Sequence, residues 1–118
     1  MRFADTNILL YAISGDPDEA PKARKANEIL GAGEIALSTQ VLQEFYVQAT
    51  RETRPDRITH TQALGLLESF LRFSIIEMTA GLVLAAAATG DRFQLSCWDS
   101  AILEAARAAP CDVLLTEV

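Results

Sequence analysis

The sequence predicts an α/β fold in which helices cover a parallel sheet on both faces. Three observations predict it. Short apolar runs alternate with helical patterns along the chain, the order that builds parallel sheets. Residues that cap helices stand where several of these runs meet. Half of the 118 residues are apolar and 22% are charged, an ordinary globular composition with chain enough for one core but not two. The expectation is a single domain over residues 1–118.

"RFADT" is the first strand, and it stops at a helix start: Asp5 is placed to cap "NILLYA". "SGDPDEAP" gathers Gly, Asp and Pro into a loop. Pro21 suits the first turn of a helix to about Leu30, with Ala23, Ala26 and Leu30 along one face. Gly31 ends that helix, a strand follows at Ile35 to Leu37, and Ser38 caps the long helix "TQVLQEFYVQATRE". Pro55 breaks the chain before a helix from about Thr59 to Arg72 and the strand "FSIIEM". "AGLVLAAAATG" reads as a close-packed helix closed by Gly90. "WDSAILEAARAA" is a last helix, stopped by Pro110, and "DVLLTE" a last strand.

Several function classes are excluded early. The N-terminus lacks the layout of a signal peptide, and the longest apolar run, Leu82 to Ala88, is far short of the roughly 20 residues a bilayer needs. The expectation is a soluble, cytosolic protein with no membrane partner. Cys97 and Cys111 are too few for a disulfide scaffold, and His60 is the only histidine, so no zinc spacing exists. Both cysteines read as reduced packing residues. A net charge of −6 argues against a general nucleic-acid coat protein. It leaves room for an enzyme that meets phosphates through a cation.

In parallel sheets, ligands bind outside the carboxyl ends of the strands, where Asp5 and Glu117 both fall. Asp5 is either a cap or a cation ligand, and Asn7 adds a second oxygen within reach of the same spot. Glu44 lies at the border of the apolar face made by Val41, Leu42, Phe45, Tyr46 and Ala49, with Gln40 and Gln48 one turn either way. Ser96 to Asp99 matches a capping box, in which Asp99 reaches back to the helix start. Capping does not preclude ligation, because a carboxylate has several lone-pair sites. Taken together, the three acids suit Mg²⁺, which takes oxygen ligands and can activate water for phosphodiester hydrolysis.

"ADTNILLYA", "LSTQVLQEFY", "LSCWDSAILEAA" and "CDVLLTE" resemble, in that order, the motif blocks of PIN-domain ribonucleases, with the nearest likeness to VapC-type toxins of bacterial toxin–antitoxin systems. The resemblance spans essentially the whole chain. It implies a three-layer α/β/α sandwich on a central parallel sheet. It also implies a Mg²⁺ or Mn²⁺ site whose catalytic, metal-binding carboxylates are Asp5, Glu44 and Asp99, shaped by Thr6 and Asn7 of the "DTN" turn. The substrate it implies is RNA, often transfer RNA; the partners are a cognate antitoxin and a second copy in a homodimer.

One departure matters. Where the family usually has an aspartate after "Thr-Glu", this chain has Val118, with Glu117 adjacent as the nearest acid for the metal. Family members usually continue with a further element, which leaves two readings: a chain truncated at its C-terminus, or a degenerate member that binds antitoxin, itself or RNA without cutting.

Rival readings fail on particular residues. Haloacid dehalogenase-like phosphatases and receiver domains need a late lysine, whereas the only lysines here are Lys22 and Lys25. "GAGEIA" has the letters of a dinucleotide fingerprint but follows a helix and leads into a strand. His60 has no nucleophile elbow to serve and reads as a surface or helix-start residue. Arg51, Arg54, Arg57 and Arg92 are either RNA contacts or solvated surface. The apolar surplus of Leu66, Leu67, Phe70 and Leu71 is expected to give part of a dimer or antitoxin surface, with Phe70→Glu leaving a folded monomer.

Overall fold

The computed structural model describes residues 1–117. Its elements are β1 (Arg2–Ala4), α1 (Thr6–Ala12), a 3-10 turn (Pro17–Glu19), α2 (Ala20–Gly31), β2 (Ile35–Ser38), α3 (Thr39–Ala49), α4 (His60–Phe70), β3 (Ser74–Ile76), α5 (Ala80–Phe93), α6 (Cys97–Ala108) and β4 (Val113–Leu115). Alternation of strand and helix is therefore realised as the sequence predicts.

All pairings are parallel, in the order β3-β2-β1-β4. Phe3 sits opposite Ala36 on one side and Leu114 on the other. The inner strands β1 and β2 carry the most buried residues, and β2 is buried throughout, as parallel strands covered on both faces must be. The chain steps outward from β1 to β2 to β3, then jumps back past both to lay β4 against β1. Right-handed crossovers put helices on opposite faces when the direction reverses. Helices α1 to α4 therefore cover one face, and α5 with α6 the other. The reversal falls at β1 and β4, the place where open α/β sheets bind ligands.

The core joins Phe3, Ile8, Leu9, Leu37, Val41 and Phe45, all fully buried, to Ile102 and Ala105 of α6. Phe70 belongs to it as well. Its ring meets Phe45 edge-on with centroids 5.1 Å apart, and only 4% of it is exposed. The expectation that Phe70 helps form a docking surface is thus corrected: the outward positions of this helix region are Leu64 and Leu71. The α4 start carries a full capping box between Thr59 and Gln62, and His60 at its first position meets the Tyr46 hydroxyl through Nδ1 at 2.9 Å.

Gly90 does not close α5, which runs on to Phe93 and ends at Gln94 in the left-handed region (φ 57°). Its role is close approach. A Cβ at Gly90 would lie 3.0 Å from both the Leu95 carbonyl oxygen and Ser100 Oγ, so a bare backbone lets α5 and α6 pack tightly. Cys97 is also corrected: it is a free thiol on the exposed start of α6, not a packing residue. Cys111 is free and partly buried. No helix among the described residues is long and apolar enough to cross a membrane.

Candidate functional site

Asp5 follows β1 directly, and its backbone N–H donates to the Leu115 carbonyl of β4 at 2.9 Å. The residue is therefore pinned where the carboxyl ends of the two strands meet, at the reversal of the sheet. Its side chain caps α1, with Oδ1 accepting the Thr6 N–H at 2.6 Å. Capping leaves the other carboxylate oxygen for further partners.

Thr6, at the first position of α1, is buried. Its Oγ1 donates to Glu44 Oε2 across 3.0 Å, which joins α1 to α3. Glu44 is partly exposed, in keeping with its place at the border of the apolar face. Its second oxygen accepts from Gln40 Nε2 at 3.3 Å. The same nitrogen reaches the Trp98 carbonyl at 3.4 Å, one residue before Asp99. Gln40 thus ties α3 to the start of α6. The sequence reading sets Gln40 one turn from Glu44, a spacing at which side chains on one helix meet, whereas its reach to Trp98, 58 positions away, carries no local signal.

Asp99 lies exposed in the first turn of α6. Only half of the expected capping box forms: Ser96 Oγ accepts the Asp99 N–H at 3.0 Å. Asp5 registers both Glu44 and Asp99. Burial pushes its carboxyl above the ordinary value of 3.8, the Thr6 N–H opposes that rise, and the charges of Glu44 and Asp99 push it further up. Among the described residues, no three His, Cys, Asp or Glu side chains sit close enough together to form a ready cation site. The three acids share one electrostatic neighbourhood without yet sharing ligand distance.

Asn7, next but one after Asp5, makes a contact with the C-terminal segment. Its Nδ2 donates to the Thr116 carbonyl at 3.3 Å and so clasps the segment after β4. Glu117 accepts from the Tyr11 hydroxyl at 3.0 Å and pairs with Lys22 at 3.2 Å. Val118, the position of the missing aspartate, lies outside the described residues. Arg54 Nε stands 3.0 Å from Asp56, which also accepts the Gly15 N–H at 2.8 Å. Arg92 lies over the Phe93 ring at 5.0 Å, while Arg51 and Arg57 are exposed.

The PIN domain family model matches residues 2–117. Three solved structures share the fold. A toxin–antitoxin complex from Klebsiella pneumoniae is 22% identical, with a TM-score of 0.72 over 98% of this chain and 85% of that one. VapC20 of Mycobacterium tuberculosis, described as a Sarcin-Ricin loop cleaving toxin, is 17% identical, with a TM-score of 0.76 over 100% and 90%. VapBC2 from Rickettsia felis, bound to a fragment of its promoter DNA, is 22% identical, with a TM-score of 0.62 over 97% and 85%. No curated protein matches the sequence.

Proposed function

The chain belongs to the PIN-domain family, and from that premise we propose that it is a metal-dependent endoribonuclease, the toxin of a toxin–antitoxin pair. One observation carries the reading. Asp5 at the sheet's reversal point is linked through Thr6 to Glu44, Gln40 links Glu44 to the Trp98 carbonyl beside Asp99, and the charges of Glu44 and Asp99 both raise the Asp5 carboxyl. Acids gathered this way repel unless a proton or a cation intervenes.

The donor set is all hard oxygen, which fits Mg²⁺ or Mn²⁺. Asp5, Glu44 and Asp99 are the residues that would hold the ion. A bound divalent cation supplies charge to a phosphate oxygen and lowers the pKa of water, so that RNA phosphodiesters can be hydrolysed without a side-chain nucleophile. The chain's own groups do the positioning. Thr6 fixes one oxygen of Glu44 and Gln40 the other. Asp5 is held by the α1 cap and by β4, and Asn7 steadies the segment after β4.

An antitoxin segment is assigned to the apolar groove of about 400 Å³ between α3 and α4, lined by Leu42, Tyr46, Leu64, Leu67 and Leu71. Partnering with a second copy, in a homodimer, belongs to the same reading. The proposal places the protein in the cytoplasm as one domain acting on RNA, transfer RNA included.

A magnesium titration tests it, following cleavage of a structured RNA by wild type and by Asp5→Asn. Cutting that rises with magnesium and vanishes in the variant is the expected result. A second reading is a degenerate module, since Val118 stands where the family usually has an aspartate. No cutting at any magnesium level, together with tight antitoxin binding, would establish that module and refute the nuclease.

A further inference from the structure

Trp98 is 68% exposed, although an indole of that size ordinarily gains from burial or finds a partner. It adjoins Asp99 in sequence, and its carbonyl shares Gln40 Nε2 with Glu44. The ring lines a cleft of about 460 Å³ between α3, α5 and α6. Met78, Val83 and Ala101 give that cleft apolar walls, and Gln40 and Gln43 add side-chain amides. Among the described residues, no charged side chain lines it.

We propose that this cleft takes an unpaired nucleobase from the RNA strand whose phosphate lies at the acids, stacked on Trp98 with its edge toward the amides of Gln40 and Gln43. The proposal rests on the nuclease reading and adds a subsite to it. The chemistry of the lining selects the occupant. A base is flat and apolar on its faces and carries donors and acceptors at its edge, which matches apolar walls and neutral amides. Charge points the same way. A chain with net charge −6 gains little from phosphate neutralisation, the usual source of nucleic-acid affinity. Stacking on an aromatic ring does not depend on net charge. A base locked in a duplex cannot offer its face, so the subsite demands a single-stranded or splayed nucleotide.

Trp98 is the only tryptophan in the chain, so its fluorescence reports the subsite directly. Wild-type protein in EDTA, where no metal-dependent cutting occurs, is titrated with single-stranded poly(A), poly(U), poly(C) and poly(G), and with the poly(A)·poly(U) duplex. The expected result is saturable quenching by at least one single strand and none by the duplex. By anisotropy of labelled RNA, Trp98→Ala should weaken that binding by roughly 5- to 150-fold, while Trp98→Phe retains most of it. RNA binding that leaves the emission unchanged, or that survives Trp98→Ala intact, overturns the subsite. Emission that shifts with protein concentration alone also overturns it, since a second copy would then cover the ring. If magnesium-dependent cutting persists in Trp98→Ala with an unchanged KM, the subsite fails and the nuclease reading stands. If no RNA binds and none is cut, both fail.

Discussion

Two glycines inside helices should respond to alanine with opposite signs. Gly65 lies within α4, and an added Cβ there would meet nothing within 4 Å. Gly65→Ala therefore shows only the helix propensity gain of about 0.8–1 kcal/mol. Gly90 lies within α5, where the same methyl would sit 3.0 Å from the Leu95 carbonyl and from Ser100 Oγ. Neither neighbour is free to give way. The Leu95 N–H is bonded back to the Gly90 carbonyl at 2.9 Å, and Ser100 Oγ donates to the Ser96 carbonyl at 2.9 Å. Overpacking of this kind costs about 1–3 kcal/mol, which cancels or outweighs the same propensity gain.

The two variants should thus differ by about 1–3 kcal/mol, with Gly65→Ala above wild type and Gly90→Ala at or below it. For a chain of this size that separates their melting temperatures by roughly 4–12 °C. Thermal denaturation followed by circular dichroism reads the difference. If Gly90→Ala melts as high as Gly65→Ala, the close approach of α5 and α6 does not decide stability and the reasoning fails. Because Ser100 follows Asp99, the same shift would disturb the start of α6 where that acid stands.

Asp5→Asn should raise stability near neutral pH when divalent ions are removed. A native carboxyl that titrates above 3.8 holds its proton more tightly folded than unfolded, so stability falls as pH climbs through that window and stays lower beyond it. Asparagine removes the loss and still caps α1. Urea denaturation in EDTA should show the variant above wild type at about pH 7 and level with it at about pH 3; a variant no more stable at the higher pH contradicts the crowding of acids. Phe70→Glu should yield an unfolded protein, since the substitution puts a charge into the Phe45 contact. Leu71→Glu, at a position 60% exposed, should stay folded within about 0.5 kcal/mol, and a folded Phe70→Glu by circular dichroism would overturn this division.

Most of the fold was legible because local signals agreed with tertiary ones. Asp5, Ser38, Thr59 and Ser96 each cap or precede the helix they were expected to begin, and the strands fell where apolar runs stood between breakers. Misreadings arose where one letter serves two physical ends. Glycine stops helices and also lets them touch, and Gly90 does the second. Phenylalanine in a leucine-rich helix points inward or outward according to a rotation that periodicity fixes only roughly; Phe70 points inward. A half-formed capping box at Asp99 follows from tertiary surroundings that short-range pattern does not encode. The candidate site was legible as residue types, three acids at strand ends and helix starts. Its wiring was not, because Gln40 and Thr6 act across 58 and 38 positions.

The bond from Asp5 to Leu115 and the clasp of Asn7 on Thr116 join residues more than a hundred positions apart. During translation the first strand leaves the ribosome long before the last one exists. A nascent chain holding all three acids would still lack the wall against which Asp5 is set. The setting of Asp5 is therefore complete only after synthesis has passed residue 116, which separates the making of the protein from the start of its work.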